Sequence, residues 1–273
     1  MPSIRTLVIP AAGMGTRLRP ATYATPKELL RLVDKPIVYY LLAEAYQAGI
    51  TQVVLVTHQD NLQTKQFFQS PNAEPLLGAF PGLEVSFVET SERRGDGQAL
   101  LAVEERIGDQ PFAVSMGDLV TLPGESILAE LVHDFGETGE AVISVEEVPR
   151  EKTGQYGVID PASQQGNRHL VRGIVEKPVP REAPSTLAMT GKYVLYPEIF
   201  SYLRQLDGGE GELKLAHALN AYASEHPLNA LAAHTRHYDT GTKADLLRAE
   251  IAFSLAHPDL KEVAHAELKK LLT

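Results

Sequence analysis

Residues Thr6–Pro20 read TLVIPAAGMGTRLRP. Thr6–Pro10 is a short apolar run that opens into Ala11, Ala12 and Gly13, so it reads as a buried strand running into a loop. Beyond that loop, Pro36 fits the first turn of a helix with Ile37, Leu41, Leu42 and Ala45 on one face, and Gly49 ends it. Gln52–Thr57 (QVVLVT) is a second buried strand, followed by a helix near Leu62–Phe68. Ser70–Pro81 is a Pro/Gly-rich loop. Glu84–Val88 alternates as a strand, Gly97–Glu105 reads as helix, and Pro111–Met116 is the next apolar strand. The sequence therefore alternates strand and helix with near-continuous apolar strands. That pattern predicts a parallel sheet covered by helices on both faces.

The second half is more mixed. Ser126–Phe135 is expected as a helix, and Ala141–Val148, Tyr156–Ile159, Val171–Val175 and Lys192–Leu195 as strands. Helices at Glu212–Glu225 and Lys243–Ala256 flank a strand at Leu228–His234. Pro258–Leu272 places Leu260, Val263, Ala264, Glu267, Leu268 and Leu271 at helical spacing, an amphipathic helix with one charged interruption that motivates an expected homo-oligomer. No repeat or low-complexity linker divides the chain. The expectation is one α/β domain over residues 1–273, a Rossmann-like, mostly parallel mixed sheet decorated by C-terminal helices at residues 243–273.

The 273 residues include 35 acidic and 25 basic side chains, a formal charge of −10. That balance disfavours a duplex-wrapping nucleic-acid binder, which needs a basic face. The absence of cysteine excludes disulfides, thiolate metal sites and thiol nucleophiles. The N-terminus lacks a signal-peptide pattern, and no apolar run approaches the roughly 18–20 residues that span a bilayer. A cytoplasmic protein without membrane partners is expected.

Several motifs carry chemistry. The loop Ala11–Pro20 lets backbone approach a ligand closely and can present N–H groups to phosphate. It is neither a Rossmann fingerprint, which would need glycine where Leu18 stands, nor a Walker A loop. Arg17 lies within it and Lys27 follows in TPKELL; together they can neutralise a triphosphate. Read alone, the stretch fits a glycine turn beside two solvated cations equally well. Asp118, in MGDLV, stands just past the carboxyl end of a strand, where ligands bind in open α/β sheets and a carboxylate suits a hard cation; a turn role fits it too. Asp239, in HYDTGT, precedes a helix that Thr242 can cap. Glu176 and Lys177, in IVEKP, end a strand held extended by Pro178. His234 and His237 invite a metal-hydrolase reading, but residues three apart on a strand point to opposite faces. His58 and His217 read as structural or surface residues.

Taken in order, IPAAGMGTRLRPAT (Ile9–Thr22), PKELL (Pro26–Leu30), LVDKP (Leu32–Pro36), GITQVVLVTH (Gly49–His58), GDGQA (Gly95–Ala99), YGVID (Tyr156–Asp160), VEKP (Val175–Pro178), APSTLAMTGKYVL (Ala183–Leu195) and DTGT (Asp239–Thr242) resemble the sugar-1-phosphate nucleotidylyltransferases, the bacterial UTP–glucose-1-phosphate uridylyltransferases above all. The resemblance runs over nearly the whole chain. It implies that Ala11, Ala12, Gly13, Gly15 and Thr16 hold the nucleotide, with Glu28, Gly97 and Gln98 near base and ribose. It implies magnesium on Asp118 and Asp239, catalysis by Arg17, Lys27, Asp118 and Lys177, and a sugar phosphate facing Gly157, Glu176 and Lys177. The implied substrates are UTP and glucose 1-phosphate. The chain departs from the uridylyltransferases in carrying Gly117 for their usual proline, Thr90 for their base-reading glutamine, and His217 for an aspartate. It is also short between Gln63 and Glu84.

The implied chemistry needs no catalytic triad. A sugar-1-phosphate oxygen is already an anionic nucleophile, with a second phosphate pKa of roughly 6. The protein must align two anions and screen their repulsion. Alternatives on the same fold are thymidylyl transfer, which Gly117 suggests, and a non-catalytic nucleotide-sugar binder. Loss of Arg17, Asp118 or Asp239 would mark the latter; all three are present.

Overall fold

β1 (Thr6–Ala11) is an interior strand of the main sheet. Its Leu7 and Ile9 belong to one apolar core and Val8 to the other, the alternation of a strand covered on both faces. The computed structural model describes residues 3–208 and 211–272; both ends of the expected 1–273 domain lie outside the described residues.

A short antiparallel pair, β2 (Arg31–Leu32) and β3 (Lys35–Pro36), leads into α1 (Ile37–Gln47). α1 buries Ile37, Val38, Leu41, Leu42 and Ala45, and Gly49 at φ 74° lets the chain reverse. β4 (Gln52–His58), α2 (Leu62–Gln69), α3 (Glu74–Leu77), β5 (Glu84–Thr90), α4 (Asp96–Leu101), α5 (Glu104–Ile107) and β6 (Phe112–Ser115) complete the expected alternation. β1 lies between β4 and β6, with β5 beside β4, all parallel.

Two segments differ from expectation here. The helix expected over Gly97–Glu105 is two helices, because Val103, at φ −104° and ψ 2°, leaves the helical path and is fully buried. Ser70–Pro81, expected as a loop, holds a 3₁₀ turn at Pro71–Ala73 and then α3. Each turn carries its proline in the first positions, where a missing N–H removes no hydrogen bond.

The second half adds β7 (Leu119–Thr121), α6 (Ile127–Thr138), β8 (Ala141–Glu147), β9 (Gly157–Gln165), β10 (Arg168–Glu176), β11 (Leu187–Leu195), α7 (Ile199–Leu206), α8 (Leu215–Glu225), β12 (Leu228–Ala232), β13 (His237–Asp239), α9 (Lys243–Ala256) and α10 (Lys261–Leu272). Ser126 Oγ accepts from the Ala129 N–H at 2.9 Å and caps α6, a contact of about 1 kcal/mol. Among the described residues the main sheet runs β5-β4-β1-β6-β11-β8-β12-β10-β9. β11 and β10 run against the rest, so the sheet is mixed and mostly parallel.

β9 outruns the expected Tyr156–Ile159 because its outer half, Ser163–Gln165, is polar and exposed; it pairs with β10 across a turn at Gly166 (φ 62°). α8 begins at Leu215, later than the expected Glu212. α7 was not expected. β12 ends at Ala232, short of the expected His234, and the short pair β7–β13 forms instead beyond it. α9 buries Ala249 and Phe253, and the Phe253 ring lies 4.8 Å from Tyr40 and 5.6 Å from Tyr238. α10 follows it with no buried residue.

Candidate active site

A cavity of 340 Å³ opens past the carboxyl ends of β1 and β6, the ligand position of open α/β sheets. Ala12, Gly13, Thr16, Lys27, Arg93, Asp96, Gly117, Asp118 and Glu212 line it. A second cavity, also of 340 Å³, shares Ala12, Gly13, Met14, Lys27 and Arg93 with the first and adds Arg19, His58 and Asn61. A larger depression of 530 Å³ beside Thr6, Gln52, Glu105 and Arg106 holds none of the residues singled out in the sequence.

The β7–β13 pair joins the two distant aspartates. Asp239 stands opposite Leu119, and the Thr240 N–H and Oγ1 both donate to the Asp118 carbonyl, at 2.8 and 2.9 Å. A methyl group at Gly241 would lie 2.8 Å from Arg17 Nη2, 2.8 Å from Asp118 Oδ2 and 2.9 Å from Asp239 Oδ1. The two carboxylates and the arginine thus converge on one small space that only glycine leaves open. Lys27 Nζ donates to Asp118 Oδ2 at 3.0 Å, and Arg17 Nη2 lies 3.7 Å from the same oxygen.

The aspartates differ in electrostatics. Burial pushes the Asp118 carboxyl up, but Lys27 and then Arg17 outweigh it and hold its pKa below the ordinary value. Burial, followed by the charge of Asp118, pushes Asp239 up. A desolvated, mutually repelling carboxylate pair suits a hard divalent cation, which would relieve both terms. Among the described residues no group of three or more His, Cys, Asp or Glu is placed to hold a metal. Two carboxylates alone match magnesium, which commonly takes one or two protein carboxylates and completes its shell with phosphates and water. His237 does not join them: burial, then Lys192 and Arg236, lowers its pKa to about 4, and its Nε2 lies 3.8 Å from Glu146. His234 is exposed, with its N–H on Glu130.

Of the residues expected to hold the nucleotide, Ala11 is buried at the close of β1 while Ala12, Gly13 and Thr16 border the cavity. Gly15 holds φ 59°, and its carbonyl accepts from Thr22 Oγ1 at 2.8 Å. The Gly97 N–H donates to the Leu213 carbonyl at 3.0 Å, and a side chain there would strike Leu203 and Leu213. Gln98 Oε1 is buried and has no hydrogen-bond partner. Glu28, expected near base and ribose, lies in the interior beside Asn61, which lines the second cavity. It is 1% exposed, and its Oε1 accepts from Thr64 Oγ1 at 2.6 Å and Asn61 Nδ2 at 3.1 Å, so it braces the segment behind Lys27. Thr90, standing for the glutamine, is buried and takes the Glu92 N–H on its own Oγ1 at 3.1 Å.

Among the residues expected to face the sugar phosphate, Gly157 pairs directly with Glu176 across β9 and β10. A methyl on Gly157 would meet Met189 Cε at 2.5 Å and Glu176 Oε2 at 3.2 Å. Lys177 is exposed at φ 49°, a left-handed conformation that costs a non-glycine residue about 1–3 kcal/mol. Its N–H is held by the Tyr156 carbonyl at 2.9 Å, and its Nζ lies 4.0 Å from Glu176. The structure also brings in residues that the sequence reading missed. Arg93 borders both cavities, and Glu212, paired with Lys214, borders the first. Asp96 Oδ1 accepts from the Gly97 and Leu215 N–H groups at 2.9 and 3.0 Å, tying α4 to α8. The acidic residue inside GDGQ was the one available signal for it.

The sequence and the fold are similar to those of known proteins. The family model described as nucleotidyl transferase matches residues 6–254. A UTP–glucose-1-phosphate uridylyltransferase from Staphylococcus epidermidis is 36% identical over 286 aligned residues, covering 99% of each chain. A UDP-glucose pyrophosphorylase solved with UDP-glucose superposes with a TM-score of 0.84 at 32% identity, covering 92% of this chain and 98% of the other. A UTP-bound UGPase from Acinetobacter baumannii gives 0.83 at 30% identity, covering 98% of each. Glycine loop, carboxylate pair and full-length likeness agree: the chain belongs to the nucleotidyl transferase family.

Proposed function

We propose that this chain transfers a uridylyl group from UTP to glucose 1-phosphate, giving UDP-glucose and pyrophosphate. One observation carries the reading: Asp118, Asp239, Arg17 and Lys27 converge at the mouth of the glycine loop. The uridylyltransferase identity of the staphylococcal relative, and the UDP-glucose and UTP in the two related structures, favour uridine over thymidine. Gly117 is the residue that speaks for thymidylyl transfer instead.

In this reading the backbone of Ala11–Gly13, with Gly15 and Thr16, receives the nucleotide. Gln98 offers its unpaired Oε1 to a base N–H; leaving such an acceptor buried and unpaired costs about 1–3 kcal/mol, which a donor on the ligand offsets. Without ligand, Lys27 and Arg17 are engaged by Asp118; with a triphosphate bound, they turn to its oxygens. Glu176 accepts from sugar hydroxyls and Lys177 meets the acceptor phosphate. The acceptor's phosphate oxygen attacks the α-phosphorus, a new P–O bond forms, and the bond to the β-phosphate oxygen breaks with its electrons leaving on pyrophosphate. No proton need be removed from the nucleophile. Magnesium on Asp118 and Asp239 would supply charge neutralisation at the phosphates. The whole chain serves as one catalytic unit, placed in the cytoplasm by its likeness to an enzyme that makes a sugar nucleotide. Among the described residues no helix is long and apolar enough to cross a membrane.

The direct test is UDP-glucose formation from UTP and glucose 1-phosphate with magnesium, followed by chromatography. Turnover is expected; its absence while another sugar 1-phosphate reacts would move the acceptor, and its absence with every acceptor would remove the reading.

A homo-oligomer completes the proposal. Leu247 and Ile251 of α9 and Val263 and Leu271 of α10 are 60%, 40%, 59% and 81% exposed, an apolar strip that a second copy would cover. Light scattering at micromolar concentration should give at least a dimer mass; a monomer there counts against it.

A further inference from the structure

Lys192 and Glu44 form an ion pair at 2.7 Å with both side chains fully buried. A lysine ammonium has three donors, and all three are used here: on Glu44 Oε2, on Ser115 Oγ at 2.9 Å and on the Leu119 carbonyl at 2.9 Å. The other Glu44 oxygen accepts from the Leu128 N–H at 3.1 Å. An apolar pair of the same volume generally packs as stably as a buried ion pair. Packing alone therefore does not account for these two charges.

Their placement does. Ser115 and Leu119 bracket the turn Met116–Asp118, and the lysine holds one group on each side of it. The Met116 N–H is also fixed, by the Gly191 carbonyl at 2.9 Å on the lysine's own strand. Asp118 in turn holds Thr240 through its carbonyl, and Thr240 follows Asp239. Hydrogen bonds and the short backbone stretches between them thus link a buried charge in the sheet to the two residues, Asp118 and Asp239, that carry the carboxylates.

We infer that Lys192, oriented by Glu44, is a positioning residue for the carboxylate pair: it fixes the β6–β7 turn so that Asp118 and Asp239 keep the separation a divalent cation on a nucleotide requires. The inference rests on the proposed nucleotidyl transfer, because it needs Asp118 and Asp239 to be the cation's ligands. Supporting contacts of this kind typically change metal affinity or activity by about 10–100-fold when removed.

The test is the affinity for Mn2+ in the presence of UTP, read by electron paramagnetic resonance well below the unfolding temperature. Wild type is compared with the double variant Glu44→Leu/Lys192→Met. The expected result is a dissociation constant raised about tenfold or more, with kcat lowered alongside. UTP affinity in EDTA, by calorimetry, should stay within about twofold, because the glycine loop is untouched. A purely structural role would leave the Mn2+ constant in place. An unchanged Mn2+ affinity in the folded double variant overturns the inference. If that variant does not unfold cooperatively, Ser115→Ala, which deletes one anchor of the ammonium and no charge, decides by the same measurement. Wild type that binds UTP but takes up no Mn2+ when both are supplied would instead remove the carboxylate site on which both readings stand.

Discussion

Asp118→Asn and Asp239→Asn should both abolish most turnover while moving the stability of the metal-free protein in opposite directions. In the proposed reaction each removes a carboxylate facing the reacting phosphates, and the expected loss is about two orders of magnitude or more in kcat at saturating magnesium. Stability separates them. Asp239 is held above its ordinary pKa by burial and then by Asp118, so the folded state binds its proton more tightly than the unfolded state does. Its ionisation therefore costs stability as pH rises past the ordinary carboxylate value, and the full penalty stands above the raised folded value. Asparagine removes that penalty, and the variant should melt higher than wild type in EDTA at neutral pH. Asp118 is the reverse case. Burial opposes its charge, but Lys27 and Arg17 prevail, so its contribution is present above the ordinary carboxylate value and disappears as pH falls through the lowered folded value. Asparagine there leaves Lys27, only 16% exposed, without its anionic partner, and the variant should melt lower. Calorimetry in EDTA at neutral pH and near pH 3, with turnover in magnesium, checks both halves. Stability shifts of the same sign would contradict the electrostatics, and wild-type turnover would take that aspartate out of the reaction.

The aspartate pair also marks how far the sequence could be read. Asp118 was legible because it follows an apolar strand, and Asp239 because it precedes a capped helix. Their meeting was not, because it depends on β7 and β13, whose pairing covers only residues 119–121 and 237–239. Strands so short carry no usable periodicity. The first half of the sheet was legible because β1, β4 and β6 are buried on both faces and read as unbroken apolar runs. β9 was only half legible because its outer half faces water and lacks such a run. Glu28 shows what motif likeness leaves out. A carboxylate beside Lys27 in the resembling motif suggested ligand contact, and nothing in the pattern announced that Asn61 and Thr64, 33 and 36 positions along the chain, hold its oxygen in the interior. Lys192 gave no signal at all: a lysine inside an apolar strand looks like a surface residue until the fold places Glu44 against it.

Base choice should be wide toward purines and narrow among the uracil-like bases. UTP is expected to react fastest, dTTP detectably, and ATP and GTP near background, when pyrophosphate release is followed with glucose 1-phosphate under matched conditions. The purine limit follows from size, since the site lies between the glycine loop and a segment whose Gly97 is already packed against Leu203 and Leu213. The narrow limit follows from chemistry. Uracil and thymine differ by one methyl, worth only about 1–3 kcal/mol in a pocket shaped for one of them. The position where the uridylyltransferases read the base by glutamine is Thr90, and its hydroxyl already serves the Glu92 N–H, so it offers the base little. In the proposed binding mode the remaining reader in this segment is Gln98, its unpaired Oε1 meeting an N–H that uracil and thymine share. It therefore helps to select these bases as a class without separating them. Gln98→Ala should lower kcat/KM for both nucleotides by a similar factor and leave their ratio nearly unchanged. A ratio that shifts strongly would mean that Gln98 senses the methyl edge. A dTTP rate above the UTP rate in wild type would make thymidylyl transfer the reaction, with the same carboxylates, loop and acceptor end carrying it.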